Sequence, residues 1–430
     1  MNRAQQPDVC VRVLTTSDAT TLHFTARRHG VPPLHVTLVG SDALLRVRRE
    51  LDTGLTRLKD ELPSLTVADK DLDRVFSNLH GLGRTLLFIL FGAQQAVLKQ
   101  LQAFWRAALP WATDPSLPPP LVECVGPRDS FLPLEFLPLL GIAPGPAVEN
   151  RAGFVTGCRT LVGFSCVVRR ALLPAPVRGG TTLRSGPGGR LPARYLYYEH
   201  LHGAMAELAW FTGAASAHVD LEGPYPHAAD TGPTLAEQIF DPRLLLGGGR
   251  RDLPDQLQHF ACHCYTRSDD PLAAEIELSG AGHHSRTTLR TLGADLVALG
   301  VSHDERNFDL PLVMMNACGS GRMRAQDAPS FPYLFLMNGN RGFVGTETDI
   351  PDDVAATFSR ALYERFLVRR LPLGQALLES RQQLLYSLGN PLGLAYAAYA
   401  DPDLHVRPTP DPTAEEQAHV PPPADHADRL

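Results

Sequence analysis

The chain has 430 residues, with 46 acidic against 40 basic side chains and a formal net charge of −6. That balance is too mild for a nucleic-acid-binding surface or a polybasic membrane anchor. With 44% hydrophobic and 20% charged residues, the chain has apolar surface for a sizeable core, which excludes disorder along its whole length. Seven cysteines, odd in number and scattered, do not form the framework of a small secreted domain. The first residues hold no apolar signal core, and the most apolar run, Leu86 to Phe91, falls far short of the ~18–20 residues of a membrane span. A cytoplasmic protein without a membrane segment is expected.

Along the chain, Val9–Leu14 and Leu34–Val39 alternate apolar and polar residues and read as strands. Apolar residues then recur at three- and four-residue steps over Ser41–Leu62, Leu72–Leu79 and Thr85–Leu109, which predicts helices. The run 112–120, ending in three prolines, supports neither a helix nor a sheet ladder and is read as a linker. Beyond it, apolar β-rich runs (Leu121–Val125, Thr160–Val168, Arg194–Tyr198, Ala217–Leu221, Gln258–His263, Ala274–Leu278, Leu312–Met315) alternate with helical stretches (His200–Phe211, Thr287–Leu299, Asp352–Leu367, Gly374–Leu385). This alternation predicts an α/β fold with a mostly parallel sheet flanked by helices. Four segments result: an N-terminal α+β region over 1–111, the linker 112–120, a main domain over 121–407 and a disordered tail over 408–430 rich in Pro, Ala, Asp and Glu. Residues 1–111 read equally as a regulatory element or as part of the same sheet.

Two reactive side chains follow directly on buried strands, His263 in His259-Phe-Ala-Cys-His263 and Cys318 in Met315-Asn-Ala-Cys-Gly-Ser-Gly321. In an open parallel sheet the carboxyl ends of neighbouring strands share one edge, where ligands bind. Both side chains are thus expected at one crevice, and a thiol beside an imidazole can act as an acyl-transfer nucleophile. Taken alone, a cysteine closing an apolar strand is more often core packing. Cys262 and Cys264 flank the histidine, but on a strand the two thiols face opposite to the imidazole, so no zinc site is expected and both read as packing. No phosphate-binding glycine loop follows a strand into a helix, and no cofactor is expected.

Asn316-Ala-Cys-Gly-Ser resembles the caspase nucleophile signature, with the histidine about 50 residues upstream. Together with Pro133-Leu-Glu-Phe-Leu137, Gly345-Thr346, Pro351-Asp352 and Asn390-Pro391 in the same order, the chain resembles the CHAT family of caspase-like cysteine proteases over about residues 121–406. The resemblance implies a caspase-like fold and a cysteine endopeptidase acting through an acyl-enzyme on a specific protein partner, in a bacterial stress or defence response under an activating partner or ligand. It makes Cys318 the nucleophile and His263 the acid and base, with the backbone N–H groups of Cys318 and Cys264 as the oxyanion hole. Two departures accompany it: Cys264 stands where the family has Gly, and Gly319-Ser320 where it has Glu-Thr. The altered residue 264 leaves a catalytically inactive scaffold or binding module as the alternative. Asp269, Asp270, Glu347, Asp349 and Asp352 are candidates to rim the crevice.

Overall fold

The computed structural model describes residues 6–62, 64–127, 132–142, 148–173, 180–225, 234–245, 249–265, 270–280, 283–299, 310–322 and 330–407. The expected tail, 408–430, and Asp269 lie outside the described residues. In chain order, strands β1 (Val9–Thr15), β2 (Thr20–Ala26) and β3 (Leu34–Thr37) precede helices α1 (Ala43–Asp60), α2 (Leu72–Phe91) and α3 (Gln95–Ala108). The two helical stretches expected between residues 72 and 109 redivide at Gly92, whose φ of 64° ends α2, while the glycines at 81 and 83 are carried inside it. A helix interior tolerates glycine at a cost, but a left-handed φ stops it. Strand β2 escaped the sequence reading.

Strand β4 (Leu121–Pro127) follows the proline-rich segment and pairs in parallel with β1 on one side and with β5 (Val167–Leu173) on the other. One five-stranded sheet, in the order β3-β2-β1-β4-β5, is therefore built from both sides of segment 112–120. That segment leads from α3 into β4, and because β4 pairs with β1, residues on both sides of it share one sheet. Local composition marks the chain break but carries no signal for a pairing across more than 100 residues. Between β4 and β5 lie α4 (Arg151–Cys158) and α5 (Val162–Ser165); the strand expected over Thr160–Val168 begins only at Val167.

Next come β6 (Thr182–Arg184), β7 (Leu191–Tyr197), α6 (His202–Thr212), β8 (Val219–Tyr225), α7 (Leu235–Phe240), β9 (Leu257–Ala261), β10 (His263–Tyr265), β11 (Glu275–Gly280), β12 (His283–Thr288) and α8 (Leu289–Ala298). The chain continues through β13 (Leu310–Asn316), α9 (Phe331–Met337), β14 (Asn340–Thr346), α10 (Asp352–Tyr363), α11 (Leu373–Leu388), β15 (Tyr396–Ala400) and β16 (His405–Arg407). The central six-stranded sheet runs β15-β14-β13-β9-β7-β8, parallel throughout except for the β14–β15 pair. Its middle strands are buried along their whole length, as a sheet covered on both faces requires. The fold is α/β, with mostly parallel strands flanked by helices. Edge strands β5 and β15 of the two large sheets run next to each other, and Arg170 of β5 lies over the Tyr399 ring of β15. Arg170 is held by Glu135 through Nε–Oε1 and NH2–Oε2 contacts of 3.0 and 2.6 Å, which explains the acid in Pro133-Leu-Glu-Phe-Leu137.

Among the described residues no single helix is long and apolar enough to cross a membrane. All seven cysteines are free thiols. Burial pushes the Cys124 thiol up to about 12 and raises those of Cys158, Cys166 and Cys262, as it does the buried phenols of Tyr195, Tyr363, Tyr396 and Tyr399. Each group stays neutral in the fold at a pH where the unfolded chain has begun to lose its proton. Their contribution to stability is therefore complete below about pH 9 and is lost as pH rises beyond it. Urea melts at pH 8 and at pH 10.5 should show a fall in the midpoint of unfolding with alkali. An unchanged midpoint would show that these groups ionise freely in the fold.

Candidate active site

The site begins with the register of two adjacent strands. Strands β9 and β13 run parallel with Ala261 opposite Asn316, and parallel neighbours lie about 4.8 Å apart. His263 and Cys318 each stand two residues beyond those partners, so both emerge at one carboxyl edge of the central sheet. The imidazole of His263 lies against Tyr198, with ring centroids 4.9 Å apart, and against Tyr265 at 5.8 Å. The groups that act electrostatically on the Cys318 sulfur are Asp349, Lys59, Arg322 and the Ile350 N–H. Among the described residues no hydrogen bond joins Cys318 to His263. Burial, followed by the Asp349 carboxylate, raises the Cys318 thiol above its ordinary value, opposed by the Ile350 N–H and the two cations.

Cys264 belongs to β10, opposite Ile276 of β11, and is buried. Among the described residues only Arg370 combines a positive φ with a side chain, so the backbone at 264 does not require glycine. Cys262 is buried beside it and senses both Cys264 and Cys318.

The turn after Cys318 is tied to the end of β14. Gly319 N–H donates to the Thr348 carbonyl at 3.1 Å and to Thr346 Oγ1 at 3.0 Å, and Gly321 N–H donates to the Thr346 carbonyl at 2.8 Å. Ser320 Oγ donates to the Met315 carbonyl at 2.7 Å and accepts from the Thr346 N–H at 3.2 Å. Glycine is needed at two facing positions: a Cβ on Gly321 would sit 2.8 Å from the Gly345 carbonyl carbon, and one on Gly345 would sit 2.8 Å from Ser320 Oγ. Gly319 takes a φ of 64°, which suits glycine better than the family's glutamate. While the N–H groups of Gly319, Ser320 and Gly321 are all engaged, that of Cys318 donates to no described residue, leaving a backbone donor on the nucleophile candidate itself.

Behind this edge lies a buried polar group that the sequence reading did not single out. Glu207 of α6 is 4% exposed. Its Oε1 accepts from Asn316 Nδ2 at 2.7 Å, and its Oε2 accepts from Ser359 Oγ at 2.9 Å. His259 Nε2 is 2.5 Å from Glu207 Oε2, a close polar contact whose angle falls outside hydrogen-bond geometry. His259 Nδ1 lies 2.7 Å from the Tyr363 hydroxyl, and Tyr396 donates to Asn316 Oδ1 at 2.7 Å. One carboxylate thus links β9, four residues before His263, to β13, two residues before Cys318. The available signal was a lone acid within the apolar run Ala204-Met-Ala-Glu-Leu-Ala-Trp-Phe211.

The acids expected at the rim divide. Glu347 is fully buried and paired with Arg48 at 2.5 Å. Asp352 accepts from the Gly203 N–H at 2.7 Å and joins α10 to α6. Asp270 accepts from the Leu272 N–H and from Arg290, whereas Asp349 remains about half exposed beside Lys59 and Arg322. Among the described residues no cluster of His, Cys, Asp or Glu could hold a metal ion.

A family model described as the CHAT domain matches residues 192–411, about half of the chain, and the chain belongs to the CHAT-domain family. It is 35% identical over 97 residues to a probable protease of Vitiosangium sp. (strain GDMCC 1.1324), an alignment covering 22% of this chain and 13% of that protein. Among solved structures, the separase–securin complex of Saccharomyces cerevisiae aligns over 93% of this chain and 30% of that one, at 11% identity and a TM-score of 0.45. A second structure of the same complex aligns over the same shares at a TM-score of 0.39. The chain thus spans well under half the length of these relatives.

Removing the Glu207 carboxylate takes the acceptor from Ser359 Oγ and from one of the two Asn316 Nδ2 hydrogen bonds, the other going to the Ala355 carbonyl, and the polar neighbour from His259 Nε2. Glu207→Ala should destabilise the protein by about 3 kcal/mol, and Glu207→Gln by less, with urea melts as the check. A cost within about 0.5 kcal/mol for the alanine variant would show that Ser359 and His259 find other partners.

Proposed function

We propose that the chain is a cytoplasmic cysteine endopeptidase that cleaves a specific protein partner through Cys318 and His263. The observation that carries this reading is the register of β9 and β13, in which the two side chains stand equally far beyond a paired Ala261 and Asn316. It is supported by membership of the CHAT-domain family, by the relative named a probable protease and by the uncommitted N–H of Cys318.

His263 takes the thiol proton, and the sulfur of Cys318 attacks the scissile carbonyl carbon. The oxyanion that develops is held by the N–H groups of Cys318 and Cys264. As the C–N bond breaks, His263 passes the proton to the leaving amine, and water then hydrolyses the thioester. No cofactor takes part. With the Cys318 thiol raised by burial, the attacking thiolate forms only once the imidazole is brought to the sulfur, a step assigned here to substrate or to an activating partner. The place of this reaction in a bacterial stress or defence response is drawn from the family resemblance.

One observation favours the second reading, a catalytically silent binding module: no hydrogen bond joins Cys318 to His263 among the described residues. Proteomic mapping of new peptide termini separates the two. Termini produced by the wild-type protein should disappear with Cys318→Ala and fall by at least about a thousandfold in rate with His263→Ala. Identical terminus profiles for wild type and Cys318→Ala would leave only the silent module.

A further inference from the structure

The residues matched by the family model begin at 192, yet the surroundings of Cys318 include side chains from α1, more than 250 residues earlier. Arg48 NH1 lies 2.5 Å from Glu347 Oε2 and NH2 is 3.3 Å from the Glu347 carbonyl oxygen. On its other side Arg48 reaches both carboxylate oxygens of Asp52, at 2.7 and 3.3 Å. Arg48 is 7% exposed and Glu347 fully buried, so water does little to screen the pair. Two looser contacts run beside it: Lys59 to Asp349 at 3.9 Å, and Arg322 to Asp52 at 3.8 Å.

Segment 346–350, in which Glu347 sits, supplies the partners of the Cys318 turn: the Thr346 and Thr348 oxygens for the Gly319 and Gly321 N–H groups, the Glu347 carbonyl for Arg322 Nε at 2.9 Å, and the Ile350 N–H for the sulfur. Without Arg48, Glu347 would be a charge in a buried position with, among the described residues, the Tyr399 hydroxyl at 3.4 Å as its remaining side-chain donor and Arg170 as a more remote cation. A buried carboxylate in that state moves toward water, and the segment attached to it moves too.

We propose that Arg48 is a positioning residue for Cys318: by its buried ion pair with Glu347, the N-terminal helix α1 holds segment 346–350 in the place from which that segment supports the nucleophile turn. This rests on the reading of Cys318 as the nucleophile. It assigns residues 1–111 a part in building the site. The family motifs alone do not complete it.

The test measures alkylation of Cys318 by iodoacetamide in the full-length protein, followed by mass spectrometry of the Cys318 peptide from pH 6 to 10, with melting temperature recorded in parallel. The groups that set this profile are Lys59, Asp349, Arg322, Cys262 and Tyr396 around the sulfur, with His263 on the adjacent strand. Arg48→Met should slow alkylation at pH 7.5 by about fivefold, the worth of one lost donor to the thiolate, and move the rise in rate to higher pH. Arg48→Lys, which keeps a cation opposite Glu347, should fall between that variant and the wild type. The double variant Arg48→Met with Glu347→Met leaves no stranded carboxylate; it should regain melting temperature and part of the alkylation rate lost in Arg48→Met. A double variant alkylated no faster than Arg48→Met, or wild-type alkylation in folded Arg48→Lys and Arg48→Met alike, would overturn the proposal and leave the pair a structural contact. Because alkylation needs no substrate, failure of the peptidase reading would appear separately, as terminus profiles that do not depend on Cys318.

Discussion

Glu207 is where the architecture and the chemistry of this protein meet. Two parallel strands can slide or tilt against each other at little cost when only ladder hydrogen bonds and apolar side chains hold them, because dispersion contacts are individually weak and non-directional. A buried carboxylate is different. It must be satisfied by donors at fixed distances, and here it is met by Asn316 from β13, Ser359 from α10 and the close imidazole of His259 from β9. The ends of both strands are thereby set relative to α6 and α10, and the edge that bears His263 and Cys318 inherits that geometry. Tyr396, stacked on Phe358 with centroids 3.7 Å apart and bonded to Asn316, extends the arrangement to β15.

In front of this network the turn at Cys318 is held by backbone. Facing glycines at 321 and 345 let the turn and the end of β14 approach more closely than any side chain allows, and across the gap the Thr346 N–H donates to Ser320 Oγ and Thr346 Oγ1 donates to the Ala317 carbonyl. Such a turn commits nearly all of its own donors to rigidity and leaves the Cys318 N–H over. The half-exposed Asp349 and the cations Lys59 and Arg322 make the surroundings of the sulfur electrically mixed.

The N-terminal portion belongs to the same construction. Strand β1 pairs with β4 across the proline-rich segment, β5 runs beside β15, and α1 contributes Arg48 to a buried pair with Glu347. The two large sheets are joined by charged side chains as well as apolar ones, since Arg170 of the first sheet bonds Glu135 and lies over Tyr399 of the second. Buried pairs of this kind contribute less to net stability than to specificity of arrangement, because removing either partner leaves an uncompensated charge.

The sequence by itself determined the parts that depend on local pattern. The period of apolar residues placed α1, α6 and α11 and the buried strands β7, β9 and β13 to within a few residues, since helix and strand repeats are set by neighbours in the chain. It also singled out His263 and Cys318, because a reactive residue closing an apolar strand is visible as such. Tertiary structure decided everything that requires partners distant in the chain. The strand that follows segment 112–120 pairs with β1, Glu207 is a buried hub, and Glu347 is occupied by an arginine 299 residues away. A carboxylate has the same appearance in a sequence whether it meets water or a guanidinium; which of the two it meets is settled only when the chain has folded and one of them is excluded.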